Sequence, residues 1–209
     1  MPILAAFSFT DLMSRGGVVM WPLLALSIIA VTLIFERTWF FLSTNGSARR
    51  ERIHQLSKQL RAGKFDDAKP QAARDRSVYG NAVSQLLEES PTESAAVDAI
   101  EAQRTKLERF LPMLSTIITA APMLGILGTV IGIIGAFNEL SGNRADLDLS
   151  DLGGDIGQAL ITTAAGITVA LLTLLPYNLF RAQADRSLSR LESLVAAGLS
   201  KPANEPADG

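Results

Sequence analysis

Apolar and polar positions are distributed very unevenly along this chain. Three stretches contain no Asp, Glu, Lys or Arg at all: Val18 to Phe35, Met113 to Asn138 and Ile156 to Phe180. Each is close to or beyond the roughly 20 apolar residues that carry a helix, rising ~1.5 Å per residue, across ~30 Å of hydrocarbon. A core helix of a soluble bundle keeps a polar stripe, whereas these are apolar on every side. The pattern predicts an all-α membrane protein with three transmembrane helices, at residues 18–42, 113–140 and 156–180. The second and third are expected to be long and to extend beyond the bilayer. Residues 1–17 lack a basic n-region, so the first helix reads as retained rather than cleaved.

The segment Ser43 to Leu111 is too polar to cross and is expected to form a helical domain. Ile53, Leu56 and Leu60 share one helical face, with Gly63 as a C-terminal stop, and Val83, Leu86 and Leu87 share another. Ser90, Pro91 and Glu93 have the spacing of a capping box with proline at the first helical position. From there Val97, Ile100, Arg104, Leu107, Leu111 and Leu114 advance in steps of three and four, a heptad seam broken only by Arg104. Without a turn signal before the second span, a single helix of about 50 residues, ~75 Å long at 1.5 Å per residue, is expected, bent rather than ended by Pro112.

Charge then sets the orientation. Arg37, Arg49, Arg50 and Arg52 follow the first span, Arg104, Lys106 and Arg109 precede the second, and Arg181 and Arg186 follow the third. Basic residues stay on the cytoplasmic side, so the N-terminus is expected outside and the C-terminus inside. The loop at 141–155 holds Arg144 against Asp146, Asp148, Asp151 and Asp155, an acidic run that either solvates the loop or gathers cations near a pore mouth. Residues 181–209 read as a cytoplasmic helix and a disordered tail, Lys201 to Gly209, rich in proline, alanine and acid. With no cysteine and one histidine, His54, no thiolate site, disulfide or imidazole cluster can be built, and no metal, cofactor or enzymatic activity is expected.

The candidate chemistry lies within the spans. Gly125, Gly128, Gly132 and Gly135 lay four glycines along one face of the second, which allows another backbone to approach closely in lipid. Ala159, Thr163, Gly166, Ala170 and Thr173 form a small and hydroxyl-bearing face on the third, joined by Gln158 and Thr162. Thr129 lies beside the glycine stripe. Each hydroxyl can bond its own i−4 carbonyl, and small residues can simply pack helices. Two such faces together with the Gln158 amide, costly to leave in lipid, favour a hydrated or partner-filled interior. Pro122 and Pro176 free the carbonyls of Ile118 and Leu172 and are hinge candidates. No Asp, Glu, Lys, Arg or His lies in the three charge-free stretches, so none of them holds a group that takes up and releases a proton near neutral pH, and a transported proton would need a carboxylate from another chain.

Several motifs carry a resemblance: W-P-L-L-A-L-S from Trp21 with F-E-R at Phe35 to Arg37; A-P-M-L-G-I-L-G-T-V-I-G-I-I from Ala121; Q-A-L-I-T-T-A-A-G-I-T-V-A from Gln158; and P-Y-N-L-F-R from Pro176. In these the chain resembles the MotA/TolQ/ExbB family of proton-channel subunits, closest to the ExbB and TolQ branch. The resemblance implies an inner-membrane, multi-pass subunit with a periplasmic N-terminus, forming a homopentamer around helices of an ExbD- or TolR-like single-span partner. That partner's membrane Asp carries the proton, and proton-motive force reaches a TonB- or TolA-like protein for TonB-dependent transport or Tol-type envelope work. Thr129 and Thr163 match the partner-facing threonines of the second and third spans. Gln158 stands where the branch often has Glu, which leaves the partner's Asp as sole carrier. Hydroxyl, amide and carboxylate oxygens also suit a hard cation, so a sodium-coupled member is an alternative, as is a membrane scaffold without ion flux.

Overall fold

The computed structural model describes residues 17–44, 47–88, 91–141 and 149–199. Among these the chain is helical, with no strand. Its helices are α1 (Met20–Thr44), α2 (Ser47–Arg61), α3 (Phe65–Arg74), α4 (Val78–Glu88), α5 (Glu93–Leu107), α6 (Leu111–Ser141) and α7 (Leu149–Leu199). The described residues fall into two compact units. One holds the chain up to Phe35 with Pro112–Tyr177, and the other holds Glu36–Leu111 with the chain from Asn178.

In the first unit, three helices are long and apolar enough to cross a membrane: Met20–Thr44, Leu111–Asn138 and Ala159–Leu199, the first and last of which continue into the second unit. Only 22%, 22% and 28% of their most apolar windows are buried within the chain. Trp21, Ile28, Val31, Met123, Ile126, Leu127, Ile134, Leu171 and Leu172 are all exposed. So much uncovered aliphatic surface would be untenable in water, and a bilayer or further polypeptide must cover it. A core is nonetheless buried, with Leu23, Leu114 and Ile117 enclosed as well as alanines. Ala121 is sealed against Val19, Met20 and Leu23 of the first span, with Leu26, Leu124, Ile161, Ala165 and Val169 packed around them.

The second unit is built in the opposite way. Leu56, Leu60, Tyr79, Val83, Leu86, Leu107, Leu191, Leu194 and Val195 are all buried, and α2, α3, α4 and α5 pack successively on one another. Gly63 ends α2 with a left-handed φ of 68°. The Gly63 amide donates to the Leu60 carbonyl (3.1 Å) and that of Lys64 to the Gln59 carbonyl (3.0 Å), the paired bonds of a Schellman stop. Asp75 accepts from the Ser77 amide (3.0 Å) and hydroxyl (2.9 Å), while Ser77 Oγ accepts from the Gly80 amide (3.3 Å), which caps α4. A side chain at Gly80 would run into the Asp75 and Ala72 backbone. Phe41 stacks on Phe180 with centroids 5.8 Å apart.

The expected 50-residue helix is replaced by two. Helix α5 ends at Leu107 and α6 begins at Leu111, with Phe110 between them at a left-handed φ of 68°. Pro112 explains the interruption. It has no N–H to give the Glu108 carbonyl, and its ring would clash there if the helix ran on, whereas the first turn of a new helix accepts it freely. The expected cap Ser90 lies outside the described residues. Thr92 caps α5 instead, its hydroxyl accepting from the Ala95 amide (3.2 Å). The heptad seam also differs. Val97 is exposed, and the face α5 buries is Ala95, Ala96, Ala99, Gln103 and Leu107. Residues 1–16, the acidic part of the loop with Arg144, Asp146 and Asp148, and the tail Lys201 to Gly209 also lie outside the described residues.

Candidate functional site

The site is the contact between α6 and α7 in the first unit, and glycine makes it possible. A Cβ at Gly125 would stand 2.9 Å from Thr163 Cα and 3.0 Å from the Thr162 carbonyl oxygen. At Gly128 it would meet the Thr162 hydroxyl and lie 2.8 Å from its Cβ, and at Gly166 it would strike the Ala121 carbonyl oxygen and come within 3.2 Å of Gly125 Cα. Backbone therefore rests on backbone, and Ala159 and Ala170 are buried along the same contact. The stripe does not continue to its end, since a Cβ at Gly135 would meet nothing within 4 Å. Gly132 is half-buried. Of the expected seam, Gly125, Gly128, Ala159, Gly166 and Ala170 pack within the chain, and Gly135 does not.

Close approach lets hydroxyls of α7 reach the backbone of α6. Thr163 donates its hydroxyl proton to the Gly125 carbonyl at 2.8 Å. Thr162 donates to the Ala159 carbonyl at 2.7 Å and lies 3.4 Å from the Gly125 carbonyl, a longer second acceptor. Thr129 donates to the Ile126 carbonyl (2.7 Å) and Thr173 to that of Val169 (2.7 Å). Every one of these protons is already committed to a carbonyl. What a hydroxyl can still offer is oxygen lone pairs, so Thr129 and Thr163, both half-buried, act toward an incoming group as acceptors.

Thr162, expected on an ion pathway or facing a partner, is 2% exposed and lies against Gly128. The Gln158 side chain lies outside the described residues. Pro122 and Pro176 both sit inside uninterrupted helices. Residue-level reading missed Arg37, which it used only to orient the chain. The structure buries it to 1% exposure. A carboxylate and a guanidinium side by side at the edge of an apolar run, as Glu36 and Arg37 are, was the available signal, because an ionised side chain there needs a partner.

Helices that expose their large aliphatic side chains and bury glycine, alanine and threonine define a multi-pass helical membrane protein. Residues 71–193 match the MotA/TolQ/ExbB proton channel family, and the chain belongs to that family. An ExbB-like biopolymer transport protein of Synechocystis is 34% identical over 199 residues, covering 88% of this chain and 74% of its own. Biopolymer transport protein exbB1 of Vibrio cholerae is 29% identical over 192 residues, covering 88% and 84%. The Tol-Pal system protein TolQ of Pseudomonas aeruginosa is 35% identical over 92 residues, 44% of this chain and 39% of its own.

Proposed function

We propose that this chain is the ring-forming, channel-lining subunit of an inner-membrane motor, with its N-terminus periplasmic and its C-terminus cytoplasmic. Five copies enclose membrane helices of an ExbD- or TolR-like partner, and proton-motive force is passed to a TonB- or TolA-like protein. The names of its relatives, biopolymer transport and Tol-Pal, support this reading, and so does membership of the family.

The carrying observation is a mismatch in chemistry. The charge-free stretches supply hydroxyls but no acid or base, and the protons of Thr129 and Thr163 are spent on the Ile126 and Gly125 carbonyls. Such a wall can receive an O–H bond but cannot release a proton near neutral pH. It suits a protonated carboxyl group brought by a partner, which donates to Thr129 or Thr163 while neutral and leaves once ionised. This chain contributes the lining and the partner contributes the acid, so the chain is not an enzyme.

The test is proton flux into liposomes holding the chain with its single-span partner, under an imposed gradient. The reading expects flux with both chains and none with this chain alone. Thr129→Val and Thr163→Val should each lower flux several-fold with assembly intact. Flux through this chain by itself would refute the division of labour. Assembly without flux under either ion gradient would leave a scaffold, and flux driven by sodium alone would identify a sodium-coupled member.

A further inference from the structure

The second unit contains a cavity of about 560 Å³, walled by α2, α3 and the first turn of α4. That is the size of a small-molecule site, roughly 300–1,000 Å³, and many times the ~30 Å³ that one water occupies. Arg52, Ile53 and Leu56 line it from α2, Asp67, Pro70 and Arg74 from α3, and Tyr79 from α4. Guanidinium, carboxylate, phenol and aliphatic groups thus border a single space.

Tyr79 is 1% exposed, and its hydroxyl is enclosed without a hydrogen-bond partner among the described residues. A buried hydroxyl in that condition is costly, and native chains keep few of them. The backbone holds it there. Ser77 donates from its amide and hydroxyl to the two oxygens of Asp75, the Gly80 amide donates to Ser77 Oγ, and no Cβ fits at Gly80 beside the Asp75 backbone. The first turn of α4 is therefore not free to carry the phenol toward another group of the chain.

The charged groups of the cavity differ in what they have left to give. Asp75 also borders it, but both of its carboxylate oxygens already accept from Ser77. Arg52 and Arg74 are exposed and make no ion pair among the described residues. Donors are thus in excess, two guanidinium forks and a phenol against the Asp67 carboxylate. A guanidinium meets a carboxylate or a phosphate with paired hydrogen bonds, and a phenol can donate to the same kind of oxygen. We propose that this cavity binds a small organic anion whose carboxylate or phosphate oxygens are received by Arg52, Arg74 and the Tyr79 hydroxyl. Asp67 accepts from a hydroxyl or ammonium group elsewhere on the ligand, and Ile53, Leu56 and Pro70 cover its carbon skeleton. The site lies wholly within the second unit, and its occupancy is measured independently of any ion flux.

The test uses the full chain in phosphatidylcholine nanodiscs, titrated calorimetrically with glycerol 3-phosphate and, separately, with L-glutamate. Saturable binding of at least one probe, and none of glycerol, is the expected result, and the tighter probe identifies the phosphate or the carboxylate class. Arg52→Gln and Arg74→Gln, both at exposed positions, should each weaken binding about tenfold. Tyr79→Phe should weaken it several-fold while leaving the thermal midpoint of the ligand-free chain unchanged or higher, because the hydroxyl removed has no partner there. Failure of both probes to bind the parent chain would overturn the proposal and leave a hydrated cavity. Binding that all three substitutions leave unchanged would overturn it too, as would a lower midpoint in Tyr79→Phe with full affinity, the mark of a hydroxyl serving the fold alone.

Discussion

The two units solve the same problem, burying a helix face, with opposite materials. Where α6 meets α7, the closest contacts are made by Gly125, Gly128, Gly166 and Ala121, while Met123, Ile126, Leu127, Leu171 and Leu172 are exposed. In the second unit the buried positions hold Leu60, Leu86, Leu107, Leu191 and Tyr79, with Arg37 the charged side chain enclosed among the described residues. Water rewards removal of a leucine from solvent, so the second unit gains by enclosing large aliphatic groups. Lipid tails are as apolar as leucine and give no such reward, which leaves close packing and hydrogen bonds as the means of holding helices together. The identity of the solvent is thus recorded in which residues are turned inward.

That contrast can be broken by swapping the perturbations. Leu86→Ala should be the most damaging substitution. It empties a fully buried site in the second unit and should cost about 2–5 kcal/mol, seen as a large fall in thermal midpoint. The same truncation at exposed Leu127 in the first unit should change the chain's own stability by less than about 0.5 kcal/mol. Gly166→Ala reverses the roles, because the added methyl meets the Ala121 carbonyl oxygen, a backbone atom that cannot swing aside. It should destabilise by about 1–3 kcal/mol in a lipid-based unfolding assay. Gly135→Ala, with open space around it, should be tolerated in the isolated chain.

Smaller effects sharpen the comparison. Thr163→Val keeps the shape and removes the bond to the Gly125 carbonyl, and should cost about 0.6 kcal/mol, a typical value for such bonds between membrane helices. Thr92→Ala in the second unit should cost about 1 kcal/mol by uncapping α5, measured by denaturant midpoint. A larger loss at Thr163 than at Thr92 would mean that hydrogen bonding, rather than glycine packing, holds α6 on α7.

The spans were legible because solvent imposes them: an apolar run of sufficient length has few other uses. The Gly63 stop was legible for a local reason, since the left-handed residue that ends α2 is the one without a Cβ. Phe110 was not. A bulky residue gives no sign in sequence that it will turn left-handed, and Arg37, whose guanidinium lies 5.4 Å from the centroid of its ring, is far away along the chain. Pro112 carried the hint, because it has no N–H for the Glu108 carbonyl and fits only the first turn of a new helix, so the chain tends to break just before it. At the seam, sequence placed the glycines and threonines on common faces but could not say which hydroxyl would be enclosed. Thr162 and Thr163 are neighbours, and only the distance between two backbones separates the packed one from the half-exposed one.

The two tryptophans of the chain, Trp21 and Trp39, both lie on α1 and both are exposed. They stand roughly 27 Å apart along its axis at 1.5 Å per residue, close to the depth of a hydrocarbon layer. Indole rings settle at the headgroup level, so the pair acts as a built-in gauge. In a bilayer of matching thickness both rings rest in the same kind of surroundings. In a thicker one at least one of them must sink among the acyl chains, and its fluorescence would shift to the blue.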